Sequence, residues 1–237
     1  METIVQKLHP DIICLQELET TEENLKQMEN YGYSLADYSN SFIKFSKIYG
    51  VATFYNPDTL SCTDSSTINL PRGVYELFLY ILRILNGGNK SRTVLKTEFI
   101  AKINHKNISV YNTHLTLFGS NGVRLKQLNT TLKDIVMNQD KSVIIAGDFN
   151  YFPYDRKRLE SIMNECGLLE ATNDILFTYD RERIKHELIH RIGFALFPSA
   201  RKLKLDYVFY RGLLNTKTER IDVDYSDHYP IIASFQI

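Results

Sequence analysis

Runs of apolar residues along the chain predict buried strands, and apolar residues spaced three and four apart predict amphipathic helices. Ile12–Leu15 and Val143–Ala146 are apolar without alternation, as in strands covered on both faces. Strands are predicted at Asp11–Glu17, Tyr49–Tyr55, Arg92–Ile103, Asn107–Leu115, Ser142–Asn150, Leu205–Tyr210 and Ile231–Ile237, and helices at Met1–His9, Glu22–Asn30, Asn121–Gln139 and Asp155–Cys166. The mixture, without a repeat or a low-complexity linker, indicates one α/β domain over residues 1–237.

The segment Val74–Leu85 does not fit this division. Its apolar residues match a helical period, but the opposite side is also largely apolar, so little polar face remains. Three interpretations are open: an element buried against the domain, a lid or insertion that contacts substrate, and an interfacial contact with lipid. The segment is too short to span a bilayer, and no other apolar run predicts a transmembrane helix.

Composition is that of an ordinary globular protein, and the formal net charge is zero. Overall charge therefore does not indicate a polyanionic partner, but Arg181–Lys204 contains seven Lys or Arg against two Glu. That local excess is either a solvated surface or a patch that attracts phosphate. The three cysteines, Cys14, Cys62 and Cys166, match no metal-binding spacing, and a disulfide framework is not expected.

Five apolar runs end in a carboxylate, an amide or an imidazole, although charged groups are expensive to remove from water. The five motifs are DIICLQE (Asp11–Glu17), NTHL (Asn112–Leu115), AGDFN (Ala146–Asn150), LDYVFY (Leu205–Tyr210) and SDHYP (Ser226–Pro230). Taken one at a time, each is also explained as a strand end, a polar turn or a satisfied histidine. Taken together, they predict that the five ends converge on one site.

The residue types in these motifs suit the cleavage of a phosphoester. Glu17 and Asp227 can supply the oxygen ligands that Mg²⁺ prefers, and no cysteine in the motifs supports zinc. Asp206 lies inside an apolar strand and needs a partner, so His228 with Asp206 is the candidate acid–base pair. Neither a Gly-rich phosphate loop nor a GxSxG motif is present, which disfavours nucleotide-dependent phosphoryl transfer and serine esterases.

Two pairs of polar residues share a face by the two-residue period of a strand. Asn112 and His114 point the same way in the predicted strand Asn107–Leu115. Asp148 and Asn150 do so if the strand Ser142–Asn150 continues to its end. Asn150 and His114 can hydrogen-bond phosphate oxygens, and Asn112 is a further candidate for substrate binding.

The ordered set QE, NTHL, GDFN, LDY and SDH resembles the endonuclease/exonuclease/phosphatase superfamily, which includes DNase I-like nucleases, neutral sphingomyelinases and inositol-polyphosphate 5-phosphatases. The resemblance covers nearly all of the chain, and Arg92 stands where many members keep an arginine that contacts substrate. It implies a four-layer α/β sandwich, in which two packed mixed β-sheets are flanked by helices. It also implies a Mg²⁺-dependent phosphodiesterase, with Mn²⁺ as the alternative cation.

The same resemblance implies roles for individual residues. Glu17 would bind the Mg²⁺, and Asp227 would complete the shell of the metal or the water. Asp148 and Asn150 would position or activate the water and the phosphate. The catalytic set would be His228 held by Asp206, together with Asp148 and His114, and the sequence leaves open whether Asp148 or His228 is the base.

One departure from the family is a missing first strand, which normally carries an asparagine of the metal shell. Three explanations are open: the sequence lacks its natural start, another element replaces the strand, or the protein is a weak or inactive member. The first explanation leaves a signal peptide open, with the cytoplasm as the default compartment. A missing strand exposes two strand edges, so low stability or a neighbour that fills the gap is expected.

The substrate is left open between nucleic acid and a phospholipid headgroup, and no obligate protein partner is expected. Arg181–Lys204, with its two phenylalanines, could line a nucleic-acid groove. Val74–Leu85 could serve a sphingomyelinase-like lipid phosphodiesterase. A non-catalytic module that binds phosphate or nucleic acid is the alternative from a different class.

Overall fold

The computed structural model describes residues 2–44, 47–73, 92–138, 141–183 and 201–237. The apolar segment Val74–Leu85 lies outside the described residues, as do residues 184–200 of the basic stretch Arg181–Lys204. The interpretations of these two segments therefore stay predictions.

The predicted helices are present, with small changes at their ends. They are α1 (Glu2–Leu8), α2 (Glu22–Gln27), α3 (Asn121–Met137) and α4 (Arg156–Glu165). Helix α2 is shorter than predicted because a 3-10 turn follows it and ends at Gly32, whose φ of 85° suits glycine. Among the described helices, none combines the length and the apolar character needed to cross a bilayer.

The described part of the chain contains thirteen strands, most of them antiparallel to their neighbours. They are β1 (Ile12–Glu19), β2 (Ser34–Lys44), β3 (Lys47–Tyr55), β4 (Leu60–Asn69), β5 (Thr93–Ala101), β6 (Asn107–His114), β7 (Ser142–Asp148), β8 (Leu169–Glu170), β9 (Tyr179–Asp180), β10 (Lys202–Leu203), β11 (Asp206–Arg211), β12 (Leu214–Arg220) and β13 (Ile231–Gln236). The prediction missed the two-residue strands β8, β9 and β10. It also missed the longer strands β2, β4 and β12. Each of these has one partner strand among the described residues and a largely polar sequence, so it carries little hydrophobic signal.

Two larger sheets are formed. The first has six strands in the order β4-β5-β6-β7-β11-β8, and β6 and β7 are its parallel pair. Helix α3 makes the crossover between them, as a parallel connection requires. The second sheet has the antiparallel order β1-β3-β2, while β12 with β13 and β9 with β10 form two-stranded pairs.

Three hydrophobic clusters join these elements into four layers. The outermost cluster packs α1 and α2 on the three-stranded sheet, with Val5 and Leu25 against Phe54. The middle cluster joins the two sheets, and the third packs α3 and α4 on the six-stranded sheet. Burial of these apolar faces is the main favourable term that holds the layers together. The predicted four-layer α/β sandwich, with two packed sheets between helices, is therefore confirmed.

The strands β1 and β13 each lie at the edge of their sheet. Among the described residues, β1 pairs with β3 alone and β13 pairs with β12 alone. The missing first strand and its effect on stability stay predictions.

Candidate active site

Three of the predicted site residues lie in one row across the six-stranded sheet. In the parallel pair of β6 and β7, His114 is the register partner of Asp148, and in the antiparallel pair of β7 and β11, Asp148 is the partner of Asp206. Neighbouring strands are about 4.8 Å apart, so strand pairing alone brings the three side chains together. Gly147 makes this approach possible, because a Cβ atom there would lie 2.0 Å from the carbonyl oxygen of Thr113.

The fourth member, His228, comes from the loop that precedes β13. Its Nδ1 lies 2.7 Å from Oδ2 of Asp206, so the predicted pair forms. The ligand atoms of Asp148, Asp206 and His228 all lie within 4.8 Å of one another. Although burial disfavours the charged imidazole, the carboxylate of Asp206 raises the pKa of His228 to about 10 through its charge and its hydrogen bond. His228 is therefore protonated at neutral pH.

Asp148 is buried and oriented from two directions by Asn150. The backbone N–H of Asn150 donates to Oδ1 of Asp148 at 2.8 Å, and the side-chain amide donates to Oδ2 at 2.7 Å. Burial, followed by the negative charge of Asp206, raises the pKa of Asp148 to about 7. Asn150 has a φ of 48°, which asparagine tolerates better than most residues. Its amide is thus engaged in holding Asp148.

His114 is fully enclosed and neutral. Burial, followed by the positive charges of Arg92 and His228, holds the pKa of His114 well below its usual value. Nη1 of Arg92 lies 2.8 Å from the His114 ring, and the guanidinium also covers the ring of Phe42 at 5.2 Å. His114 Nε2 lies 3.5 Å from Oδ2 of Asp148. Arg92 therefore lies in contact with His114, and its role in substrate binding stays a prediction.

Glu17 reaches the same place through a distortion of β1. The register of β1 on β3 shifts between Leu15 and Leu18, and Glu17 adopts a φ of 52° inside this irregularity. The left-handed conformation costs a residue other than glycine about 1–2 kcal/mol. It leaves the side chain 59% exposed, with Oε1 at 3.7 Å from Nε2 of His114. Strain of this kind is typical of residues held for function.

Replacement of Glu17 by glycine is expected to raise stability while lowering activity. Glycine adopts the left-handed conformation without strain, so unfolding should cost about 1 kcal/mol more and the melting temperature should rise by about 2–4 °C. Glu17→Gln is the control, because it removes the charge and keeps the strain. Thermal unfolding by circular dichroism compares the two, and a Glu17→Gly variant no more stable than Glu17→Gln would contradict the interpretation.

Two predicted residues are engaged in other contacts. Asn112 is fully buried. Its side-chain oxygen accepts a hydrogen bond from Gln16 Nε2 at 2.7 Å, and its side-chain nitrogen donates one to the carbonyl oxygen of Ala52 at 2.9 Å. It ties β6 to β1 and β3, and these bonds occupy both the oxygen and the nitrogen of its amide, so the amide is not available to a substrate. The carboxylate of Asp227 accepts from Ser226 Oγ at 3.2 Å and does not join the cluster of three ligand atoms.

Three further residues near the site, Gln16, Phe42 and Thr178, were not predicted to have a role. Gln16 stands beside Glu17 in the QE motif, which is the one available signal. Phe42 lies in the unpredicted strand β2 and packs edge-on against His114 at 6.1 Å between ring centroids. Thr178 is buried next to β9, and no local pattern distinguishes it from other threonines.

The donor set suits a hard divalent cation. Asp148 and Asp206 offer carboxylate oxygens within one cluster, and burial, followed by the negative charge of Asp206, raises the pKa of Asp148. Among the described residues, no cysteine belongs to this cluster. The residues present therefore fit an oxygen-loving ion better than a thiolate-bound metal.

Comparison with known proteins agrees with this geometry. The profile of the Endonuclease/Exonuclease/phosphatase family matches residues 1–228. A UPF0294 protein of Vibrio vulnificus is 27% identical over 234 residues, covering 95% of this chain and 67% of the relative. An endonuclease/exonuclease/phosphatase from Bacteroides vulgatus gives a TM-score of 0.72 at 18% identity, covering 99% and 88% of the two chains. TDP2 of D. rerio, complexed with single strand DNA product, gives 0.68 at 16% identity, covering 99% and 89%.

Proposed function

Because the chain belongs to the endonuclease/exonuclease/phosphatase family and is a hydrolase of phosphoester bonds, we propose that it cleaves phosphodiesters with the help of a bound divalent cation, Mg²⁺ or Mn²⁺. The observation that carries this proposal is the cluster of Asp148, Asp206 and His228. The site thus combines an acid held in its charged form with a carboxylate whose pKa is near neutrality.

Glu17 and Asp148 are the carboxylates we assign to the cation, with Asp227 as a third, more distant candidate. Glu17 is exposed and Asp148 is inside the cluster, and both lie within 4 Å of His114. When bound, the cation would neutralise charge on the phosphate and favour ionisation of a water molecule. Family membership and the acidic cluster support a divalent ion, and its identity as Mg²⁺ belongs to the proposal.

The pKa values indicate a separate chemical role for each residue of the site. Asp148, whose carboxyl ionises near pH 7, would orient the attacking water beside the cation, and the cation would favour loss of the proton of that water. His228 gives a proton to the leaving oxygen or stabilises its charge, and Asp206 keeps the imidazole protonated. Arg92 and neutral His114 are placed to donate hydrogen bonds to the phosphate.

We assign a nucleic-acid strand as the substrate. Beside His228, cations alternate with aromatic rings: the Arg183 guanidinium lies 4.0 Å and that of Arg220 4.2 Å from the ring centre of Tyr229. Arg220 also covers Phe177 at 4.1 Å. Arginine and aromatic side chains are the groups that contact phosphates and bases in single-strand sites. In this structure Arg183 also pairs with Asp224 at 3.2 Å and Arg220 with Asp222 at 2.7 Å, so a nucleic-acid strand would compete with these carboxylates. The lipid and non-catalytic alternatives have no such support among the described residues.

A groove beside Arg92 provides room for the rest of a substrate. It lies between the edges of β2 and β4 and has a volume of about 570 Å³. Its lining is polar and consists of Asp37, Tyr38, Ser39, Asn40, Thr67, Asn69 and Thr93. Thr93 follows Arg92 directly, so part of the groove lining is adjacent to that arginine.

The test is hydrolysis of bis(p-nitrophenyl) phosphate and of a single-stranded oligonucleotide, each with Mg²⁺, with Mn²⁺ and with a chelator. We expect both diesters to be cleaved with a cation and neither with the chelator. Sphingomyelin and p-nitrophenyl phosphate are the comparison substrates for a lipid phosphodiesterase and a phosphomonoesterase. Cleavage of the monoester without the diesters, or undiminished activity after chelation, would contradict the proposal.

A further inference from the structure

Thr178 contacts the backbone on both sides of the Asp206–His228 pair. It immediately precedes β9 and is fully buried. Its hydroxyl oxygen accepts the backbone N–H groups of Leu205 and Asp206, each at 3.0 Å. Its carbonyl oxygen accepts the N–H of Tyr229, the residue after His228, at 2.7 Å. One residue is therefore bonded next to both members of the pair.

The hydroxyl of Thr178 bonds the start of β11, whereas its carbonyl bonds the segment that carries His228. The segment of His228 is also held by the N–H of Asp180, which donates to the carbonyl oxygen of Asp227 at 2.9 Å. The ring of Tyr179 lies 5.1 Å from that of His228. These contacts depend on the backbone and on a neighbouring ring, so they persist when the side chain of Thr178 is changed. The bonds to Leu205 and Asp206 depend on its hydroxyl.

A hydroxyl suits this place because it has two lone pairs that accept hydrogen bonds. Two N–H groups point at it, and both would lose their partner if the oxygen were removed. A buried N–H group without a partner costs about 1–3 kcal/mol, so the start of β11 would shift to satisfy it. Asp206 begins β11 and would move with it.

We propose that Thr178 is a positioning residue that fixes the start of β11 against the His228 loop and so sets the Asp206–His228 hydrogen bond. This inference rests on the proposed function, because it assigns Thr178 to the acid–base pair of that reaction. The pair is 2.7 Å apart, and a misplacement of about 1 Å can cost about a hundredfold in rate.

The main test compares Thr178→Val with Thr178→Ser. Valine has nearly the same shape without the oxygen, and serine keeps the oxygen. We expect Thr178→Val to lower kcat on bis(p-nitrophenyl) phosphate by about 30- to 100-fold with little change in KM, and Thr178→Ser to keep most of the rate. If Thr178→Val does not fold, Thr178→Cys replaces it, because a thiol is a weaker acceptor of similar size.

Thr172→Val is the matched control. Thr172 is also fully buried, but its hydroxyl donates to Glu170 at 2.7 Å and lies near the N–H of Val208, away from the pair. We expect its kcat to stay near the wild-type value. An equal loss in Thr172→Val and Thr178→Val would show a general packing effect and overturn the proposal.

Two further measurements separate positioning from stability. In an Asp206→Asn background, Thr178→Val should cause no further loss of kcat, whereas independent effects would multiply. The proton NMR signal of His228 Nδ1–H, shifted downfield by its bond to Asp206, should weaken in Thr178→Val and persist in Thr178→Ser. That signal is read without substrate, so it tests Thr178 even if wild-type protein fails to cleave the diester. An unchanged signal in Thr178→Val would overturn the proposal.

Discussion

Replacement of His228 by glutamine is expected to lower kcat for diester hydrolysis by about a thousandfold, within the range of positioned acid–base groups. Asp206 holds the imidazole at 2.7 Å and raises its pKa to about 10, so wild-type His228 carries a proton at neutral pH. Glutamine can still donate a hydrogen bond, but it cannot transfer a proton. Steady-state kinetics on bis(p-nitrophenyl) phosphate at saturating cation measures the effect, and KM should change little.

His105→Gln is the control for this variant. His105 is exposed in the turn between β5 and β6, at the opposite end of these strands from His114. Its substitution should leave kcat unchanged. Asp206→Asn should lose less than His228→Gln, and the double variant should be no worse than His228→Gln alone, because the two residues act as a unit. A His228→Gln enzyme that keeps more than about a tenth of the wild-type kcat would refute an acid–base role of this size.

The second large effect is expected in the pH dependence of cation binding. The pKa of Asp148 is about 7 in the folded protein, above its usual 3.8, because of burial and the nearby charge of Asp206. A raised pKa favours the protonated carboxyl in the fold. Its contribution to stability is full below pH 3.8 and is lost as the pH rises through 7. A cation needs the ionised carboxylate, so binding must displace this proton below pH 7.

We therefore expect the increase in melting temperature produced by Mn²⁺ or Mg²⁺ to be small at pH 5.5 and large at pH 8. Where Asp148 is mostly protonated, the apparent affinity should change by up to about tenfold per pH unit if one proton is released. Circular dichroism measures the melting curves, and calorimetry measures the affinity. Asp148→Asn should lose most of the cation effect and its pH dependence. A cation effect that is equal at both pH values, or unchanged in Asp148→Asn, would contradict this account.

His228 should not produce the same pH dependence. Its folded pKa of about 10 lies above its usual 6.5, so its contribution to stability is full below pH 6.5 and is lost as the pH rises through 10. The two titrations therefore act in different windows, with Asp148 dominating below pH 7.

The sequence predicted the secondary-structure elements and the residue types of the site better than it predicted how those residues are arranged in space. Ile12–Leu15 and Val143–Ala146 identified the strands β1 and β7, and the residues that follow them, Glu17 and Asp148, lie at the site. The pairing of Asp206 with His228 was also predicted correctly, because a carboxylate inside an apolar strand requires a partner. Edge strands such as β2 were missed, since their polar sequences carry no hydrophobic pattern.

Other features depended on tertiary contacts that no local pattern encodes. Asn112 shares a strand face with His114, yet it bonds β1 and β3 because those strands cover its position. The left-handed φ of Glu17 arises from the irregular pairing of β1 with β3. Thr178 is 28 residues before Asp206, and its two hydrogen bonds exist only because the chain returns to it.

By itself, the sequence determined which side chains are available for phosphoester chemistry and which segments form the buried strands, because burial cost and hydrophobic periodicity are local properties. The tertiary structure alone decided the row of His114, Asp148 and Asp206 across three strands. It also decided the pKa values of Asp148 and His228, because desolvation and charge coupling depend on which groups lie within a few ångströms.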